Sequence, residues 1–172
     1  ANLLWSLGQP EDIPRLKALL KDPVAAVRRE ALVALHNMQA RETAIDIATL
    51  LSDSDELVRQ SAAEAIADFA KGPLDPLKAL AADPSPALRR AALVARVSLG
   101  DATCADDLLR SLRLSPLDYL PQAVYNLGKS RLPSILEFLR DRRIRNADPR
   151  ATEALAAAGD KEAIAWLRAD PS

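Results

Sequence analysis

The chain has 172 residues with 23 basic and 24 acidic side chains, so its net charge is −1 and it lacks the basic excess of a general nucleic-acid binder. Its one cysteine, Cys104, excludes an intrachain disulfide and fits a reducing compartment. Apolar residues make up 49% of the chain but aromatics only 3%, a Leu- and Ala-rich mixture suited to closely packed helices.

No run reaches the roughly 18 apolar residues that a membrane span needs. No basic stretch followed by an apolar one marks a secretion signal. The first residues, Leu3-Leu4-Trp5-Ser6-Leu7-Gly8, read as the tail of a helix already under way, and the chain is expected to be a piece of a longer protein.

From Ile13 onward the same pattern recurs. A short amphipathic run, Ile13 to Leu20, is followed by Asp22-Pro23, then Val27-Arg28, Ala31 and Ala34. The run Thr43 to Leu51 precedes Asp53-Ser54, Val58-Arg59, Ala62 and Ala65. Leu74 to Ala81 precedes Asp83-Pro84, Leu88-Arg89, Ala92 and Ala95. The copies are 31 and then 30 residues apart, a period that marks stacked helix pairs. We call the short run helix A and the longer one helix B.

Asp at an N-cap with Pro at the first helical position predicts that the B helices start at 23, 54 and 84. Val24, Val27, Ala31, Ala34, Leu35 and Met38 recur at helical spacing as the first apolar stripe. Leu57, Val58, Ala62, Ala65, Ile66 and Phe69 repeat it in the second. A ladder of contacts from Arg28, Arg59 and Arg89 to the aspartates of adjacent repeats would account for the recurring arginine. An exposed arginine that merely tolerates its position is the alternative.

The five glycines, Gly8, Gly72, Gly100, Gly128 and Gly159, fall where a B helix should end and the next A helix begin. The junction without one lies near Gln39-Ala40. Beyond residue 100 the pattern decays. Leu108 to Leu112 continues an A helix, and Leu117, Leu120, Val124 and Leu127 form a B stripe interrupted by Pro121. An A helix over Pro133 to Arg140, a loop from Arg142 to Asp148, a short B helix from Pro149 to Ala158 and a last A-type helix from Lys161 to Leu167 follow.

The pattern Asp-Pro-x-x-x-Val-Arg-x-x-Ala-x-x-Ala on helix pairs of this length resembles the short bacterial HEAT-like repeats, often called the phycobilisome-lyase type. The resemblance is strong over residues 11–100 and weaker, in register, to 170. It implies an all-α, right-handed α-solenoid of about five helix pairs with unpaired end helices, read as one array over 1–172. It also implies A helices on the convex side, B helices on the concave side, and an interaction surface rather than a reaction.

Little in the residues points to chemistry. His36 is the only histidine, so a zinc cluster or a paired His-Glu iron site of the kind found in HEAT-repeat hydroxylases is not available. The basic, aromatic-lined groove of HEAT-like DNA glycosylases has no counterpart. Cys104 lies among Asp101, Asp106 and Asp107, which oppose a reactive thiolate. No enzyme activity, metal or cofactor is expected.

The face opposite the B stripe is the first candidate partner surface. It carries Arg29, Val33 and His36 on the first B helix, and Gln60 and Glu64 on the second. Arg90, Val94 and Val97 follow on the third, and Gln122 and Tyr125 on the fourth. Val33, Val94, Val97 and Tyr125 stand out, since a solvated face needs no apolar groups; an ordinary mixed surface is the alternative.

Arg140, Arg142, Arg143, Arg145 and Arg150, with Asp141 and Asp148, form a second candidate in a long turn, for an acidic protein, a lipid headgroup or a phosphate. A solvated turn is the alternative. Leu4, Trp5, Ile164, Trp166 and Leu167 would leave apolar edges open to self-association.

The expected function is a non-catalytic protein–protein interaction or scaffolding module of a cytoplasmic bacterial protein. The alternatives are the cytosolic domain of a membrane-anchored assembly protein and a chromophore-lyase-like accessory protein.

Overall fold

The computed structural model of the chain describes residues 9–114, 126–128, 130–141 and 150–169. The backbone divides into two compact units, Ala1–Ala95 and Arg96–Ser172. All regular structure among the described residues is helical.

In the first unit the A and B helices alternate as the period requires. They are α1 (Ile13–Leu19), α2 (Ala25–Asn37), α3 (Ala44–Ala48), α4 (Glu56–Phe69), α5 (Leu74–Leu80) and α6 (Pro86–Ser98), the last of which runs three residues past the unit boundary. Helix α3 tightens into a 3₁₀ turn, Thr49–Ser52, before the second B helix. Packing joins α1 to α2, α3 to α4, and α2 to α4, so the first two B helices meet their own A helices and each other.

The core follows from that arrangement. Leu16, Leu32, Leu35, Ile47, Ile66 and Leu77 are completely buried, each adding about 1.5–3 kcal/mol before conformational entropy is subtracted. The expected stripe needs two corrections. Val24 is 54% and Leu57 53% exposed. Val24 precedes α2 in extended backbone and is not on the helix face at all. Leu57 sits in the first turn of α4, one position ahead of Val58, which takes the buried place.

The B helices start at Ala25, Glu56 and Pro86, two residues later than the cap rule predicts. Asp22, Asp53 and Asp83 are turn residues instead. Each carboxylate accepts the backbone N–H two residues on, from Val24 at 2.8 Å, Asp55 at 2.9 Å and Ser85 at 2.9 Å. This is the Asx turn, in which an Asp side chain stands in for a backbone carbonyl.

The second unit carries α7 (Ala105–Leu114), a helical segment over 126–128, α8 (Pro133–Arg140), α9 (Arg150–Ala157) and α10 (Lys161–Ala169). Helix α8 packs on α7 and on α9, and α9 packs on α10. Leu108, Leu127, Ile135, Leu139 and Leu155 are its largest fully buried side chains. Leu117, Leu120, Pro121 and Val124 of the fourth stripe lie outside the described residues, as do Leu4, Trp5, Gly8, the loop 142–148 and the side chain of Trp166.

The junction residues differ from expectation in an informative way. Gly100 (φ +85°) and Gly159 (φ +92°) take the left-handed conformation that closes a helix. The junctions after α2 and α4 use other residues for it: Gln39 (φ 55°) after α2 and Ala70 (φ 47°) at the end of α4, ahead of Gly72.

Gly128 is not a helix-closing residue. It lies in a helical segment, and a Cβ there would stand 2.8 Å from Ala154 Cβ and closer still to the Ala154 carbonyl oxygen. Its lack of a side chain is what lets two helical backbones touch.

Two substitutions separate these roles. Gly128→Ala forces backbone apart and is expected to lower the unfolding free energy by about 1–3 kcal/mol. Ala70→Gly relieves a left-handed alanine and is expected to raise it by up to about 1 kcal/mol. Urea titration followed by circular dichroism measures both; changes of opposite sign are the expected outcome.

Candidate functional site

The B helices are held in register by arginines that fold back onto their own turns and reach forward to the next. Arg28 Nη1 donates to the carbonyls of Asp22 (2.8 Å) and Pro23 (3.1 Å). Its Nε and Nη2 donate to the two carboxylate oxygens of Asp53, both at 2.7 Å. Arg59 repeats the motif on the carbonyls of Asp53 (2.7 Å) and Ser54 (3.2 Å), with Nε 3.5 Å from Asp83 Oδ2. Arg89 closes on the carbonyls of Asp83 and Pro84, both at 2.8 Å. The ladder expected from the recurring arginine is therefore present between the first three repeats.

Its electrostatics follow the geometry. The hydrogen bonds from Arg28 hold the Asp53 carboxyl below its ordinary range, against the opposing effect of burial, and Asp53 in turn raises Arg28. Two further pairs belong to the second unit. Arg96 Nε donates to Asp101 Oδ2 at 2.9 Å, and Asp101 is held low first by the Thr103 hydroxyl and then by Arg96. Arg140 Nε donates to Asp160 Oδ2 at 2.9 Å. Asp160 is held low first by the Ala163 N–H that it caps, then by Arg140.

Against this frame the candidate face can be placed residue by residue. Arg29 and Val33 are half-buried on α2, with Arg29 Nη2 3.6 Å from Glu30 Oε1. On α4, Gln60 is half-buried and donates to the exposed Glu64 at 2.9 Å. These four stand on neighbouring, packed helices.

His36 has a structural use that the sequence did not reveal. Its Nε2 lies 2.5 Å from Asp68 Oδ2 on α4, and its ring meets Phe69 edge-on with centroids 5.7 Å apart. Asp68 is 8% exposed, and this acid in an Ala-rich helix was missed. The signal available was a lone charge in the run Ala65-Ile66-Ala67-Asp68-Phe69, one repeat plus one residue after His36.

The third helix corrects the expectation. Val94 is 4% exposed and Val97 fully buried, so neither presents a surface, and Arg90 is half-buried. On α6, Leu88, Ala92, Val94, Ala95 and Val97 are all buried, an arc too wide for the single stripe assumed from helical spacing. Gln122 and Tyr125 lie outside the described residues.

Of the arginine cluster, Arg140 is committed to Asp160 and is no free cation. Arg150 is exposed at the start of α9, and Arg142, Arg143 and Arg145 lie outside the described residues. Cys104 is buried with its Sγ 3.5 Å from the Asp101 carbonyl, and burial pushes its thiol up, away from the reactive thiolate. Among the described residues, no group of three or more His, Cys, Asp or Glu side chains is placed to hold a metal ion.

Residues 1–67 and 43–128 match the family described as HEAT repeats, well over half of the chain. The chain belongs to the HEAT-repeat proteins. HEAT repeats commonly mediate protein–protein contact, and the family is generally a non-enzymatic scaffold. No curated protein matches this HEAT chain in sequence. Among its described residues no helix is long and apolar enough to cross a membrane.

The lowered carboxyls of Asp53, Asp101 and Asp160 set a pH dependence. A carboxyl held low in the fold contributes stability that is complete above its unfolded value, near pH 4, and is lost as pH falls through the folded value. Unfolding free energy is therefore expected to drop on acidification below about pH 4. Asp53→Asn should flatten that acid limb while lowering stability at pH 7. Thermal melts between pH 7 and pH 2.5 on both proteins measure the difference.

Proposed function

We propose that this chain is a non-catalytic protein-binding scaffold whose partner lies across the outward face of the first two B helices. The observation that carries the reading is the arrangement of Arg29, Val33, Gln60 and Glu64. Arg29 and Val33 stand on α2 and Gln60 and Glu64 on α4, two packed helices that a bidentate rung from Arg28 to the turn before α4 also links. A fixed patch of this kind lowers the ordering cost of binding, because its backbone geometry is set before the partner arrives.

The single histidine and single cysteine support the non-catalytic part. His36 is paired to Asp68, and Cys104 is buried and raised, so each serves the packing. The His36–Asp68 pair joins the C-terminal ends of α2 and α4. In this reading the partner is a folded protein that presents charges complementary to Arg29 and Glu64.

The test is charge reversal that leaves the rung intact. Arg29→Glu with Glu64→Arg is expected to reduce affinity for a partner isolated with the wild-type chain by at least about tenfold, which is about 1.4 kcal/mol. The melting temperature should stay within a few degrees. Isothermal titration with the isolated partner measures the affinity, and unchanged binding sinks this face as the site.

A further inference from the structure

The A–B turns of the first unit expose apolar groups where local structure would favour polar ones. Val24, Asp55 and Ser85 occupy equivalent places, two residues after the turn aspartate. Asp55 uses its place to cap α4, accepting the Val58 N–H at 3.1 Å. The Ser85 hydroxyl donates to Glu56 at 2.6 Å. Val24 is the N-cap of α2 with no side-chain acceptor to offer, and valine ranks among the poorest residues there. Its side chain gains no shelter in return, since it is 54% exposed. Leu57, 53% exposed, stands where the other two repeats carry Ala26 and Ala87.

These groups lie along one edge. Arg28 of the first repeat reaches Asp53 of the second turn, and Glu56 of the second repeat holds Ser85 of the third turn. Val24, Leu57 and the exposed Pro23, Pro84 and Pro86 occupy the corresponding turns and first helical residues of three consecutive repeats, whose turns those contacts join. The charge beside them is acidic. Asp22 precedes Val24, and Asp55 and Glu56 precede Leu57. Arg28, Arg59 and Arg89 donate to the carbonyls of these turns, and Arg28 acts electrostatically on Asp22 and Asp55, but three arginines only partly offset Asp22, Asp53, Asp55, Glu56 and Asp83. A local rule broken without structural gain marks a functional position better than an exposed side chain alone.

We propose that this turn edge is a second docking surface, for a protein segment that presents apolar side chains between lysines or arginines. The apolar groups enter between Val24 and Leu57, and the basic ones meet Asp55 and Glu56, whose carboxylates keep lone pairs beyond the bonds they make. The surface is separate from the B-helix face and does not rest on it.

The experiment selects a random dodecapeptide library displayed on phage against the intact chain and measures the affinity of the enriched peptides. Peptides pairing Leu, Ile or Phe with Arg or Lys are expected to emerge. Val24→Ser with Leu57→Ser should weaken them at least about tenfold, and Asp55→Asn with Glu56→Gln should weaken them and flatten their salt dependence. Val24→Ser supplies the missing cap, so the melting temperature should rise as binding falls, which separates lost docking from lost fold. Three results overturn the proposal: failure to enrich such peptides, equal binding by the serine variant, or enriched peptides that only Arg29→Glu with Glu64→Arg releases. The last would place them on the B-helix face and leave the scaffold reading standing.

Discussion

Arg28 makes four hydrogen bonds with one guanidinium, two to the turn that begins its own helix and two to the aspartate of the next repeat. An exposed ion pair contributes little, because water screens it and two long side chains must be ordered. This pair is different: its side chains are 12% and 7% exposed, and the planar fork meets both carboxylate oxygens. Asp53 meanwhile shapes its own turn through the Asp55 N–H. One carboxylate thus ties the local turn to the neighbouring repeat, and the period of the sequence is the period of that tie.

The surfaces that remain for binding are defined by what this frame uses up. Five arginines are committed within the fold: Arg28, Arg59 and Arg89 on the turns, Arg96 and Arg140 on aspartates. What stays available in the first unit is a small mixed patch on α2 and α4 and the apolar, acidic edge of the turns.

The fold was legible because its determinants are local and repeated. The three motif copies fix the number and order of the helices in the first unit, and the recurrence of arginine announces the ladder. The helix starts were misplaced by two residues because an Asx turn and an N-cap both place an aspartate ahead of the N–H that it accepts. The candidate surface was less legible. Burial of Val94 and Val97 depends on packing that helical spacing cannot see, and Asp68 was hidden because no motif pairs it with His36. Gly128 looked like the other glycines, yet its reason is a neighbouring backbone rather than a dihedral angle.

The rungs also have a direction. Each turn aspartate receives its guanidinium from the repeat before it, never from the repeat after it, in both described rungs. A chain emerging from the ribosome presents repeats in that same order. When the second turn appears, the arginine that spans to it from the preceding repeat has already been made, and only its own Arg59, six residues on, is still to come. The polarity of the side-chain contact between repeats is thus the polarity of synthesis, with each spanning arginine made before the aspartate that it meets.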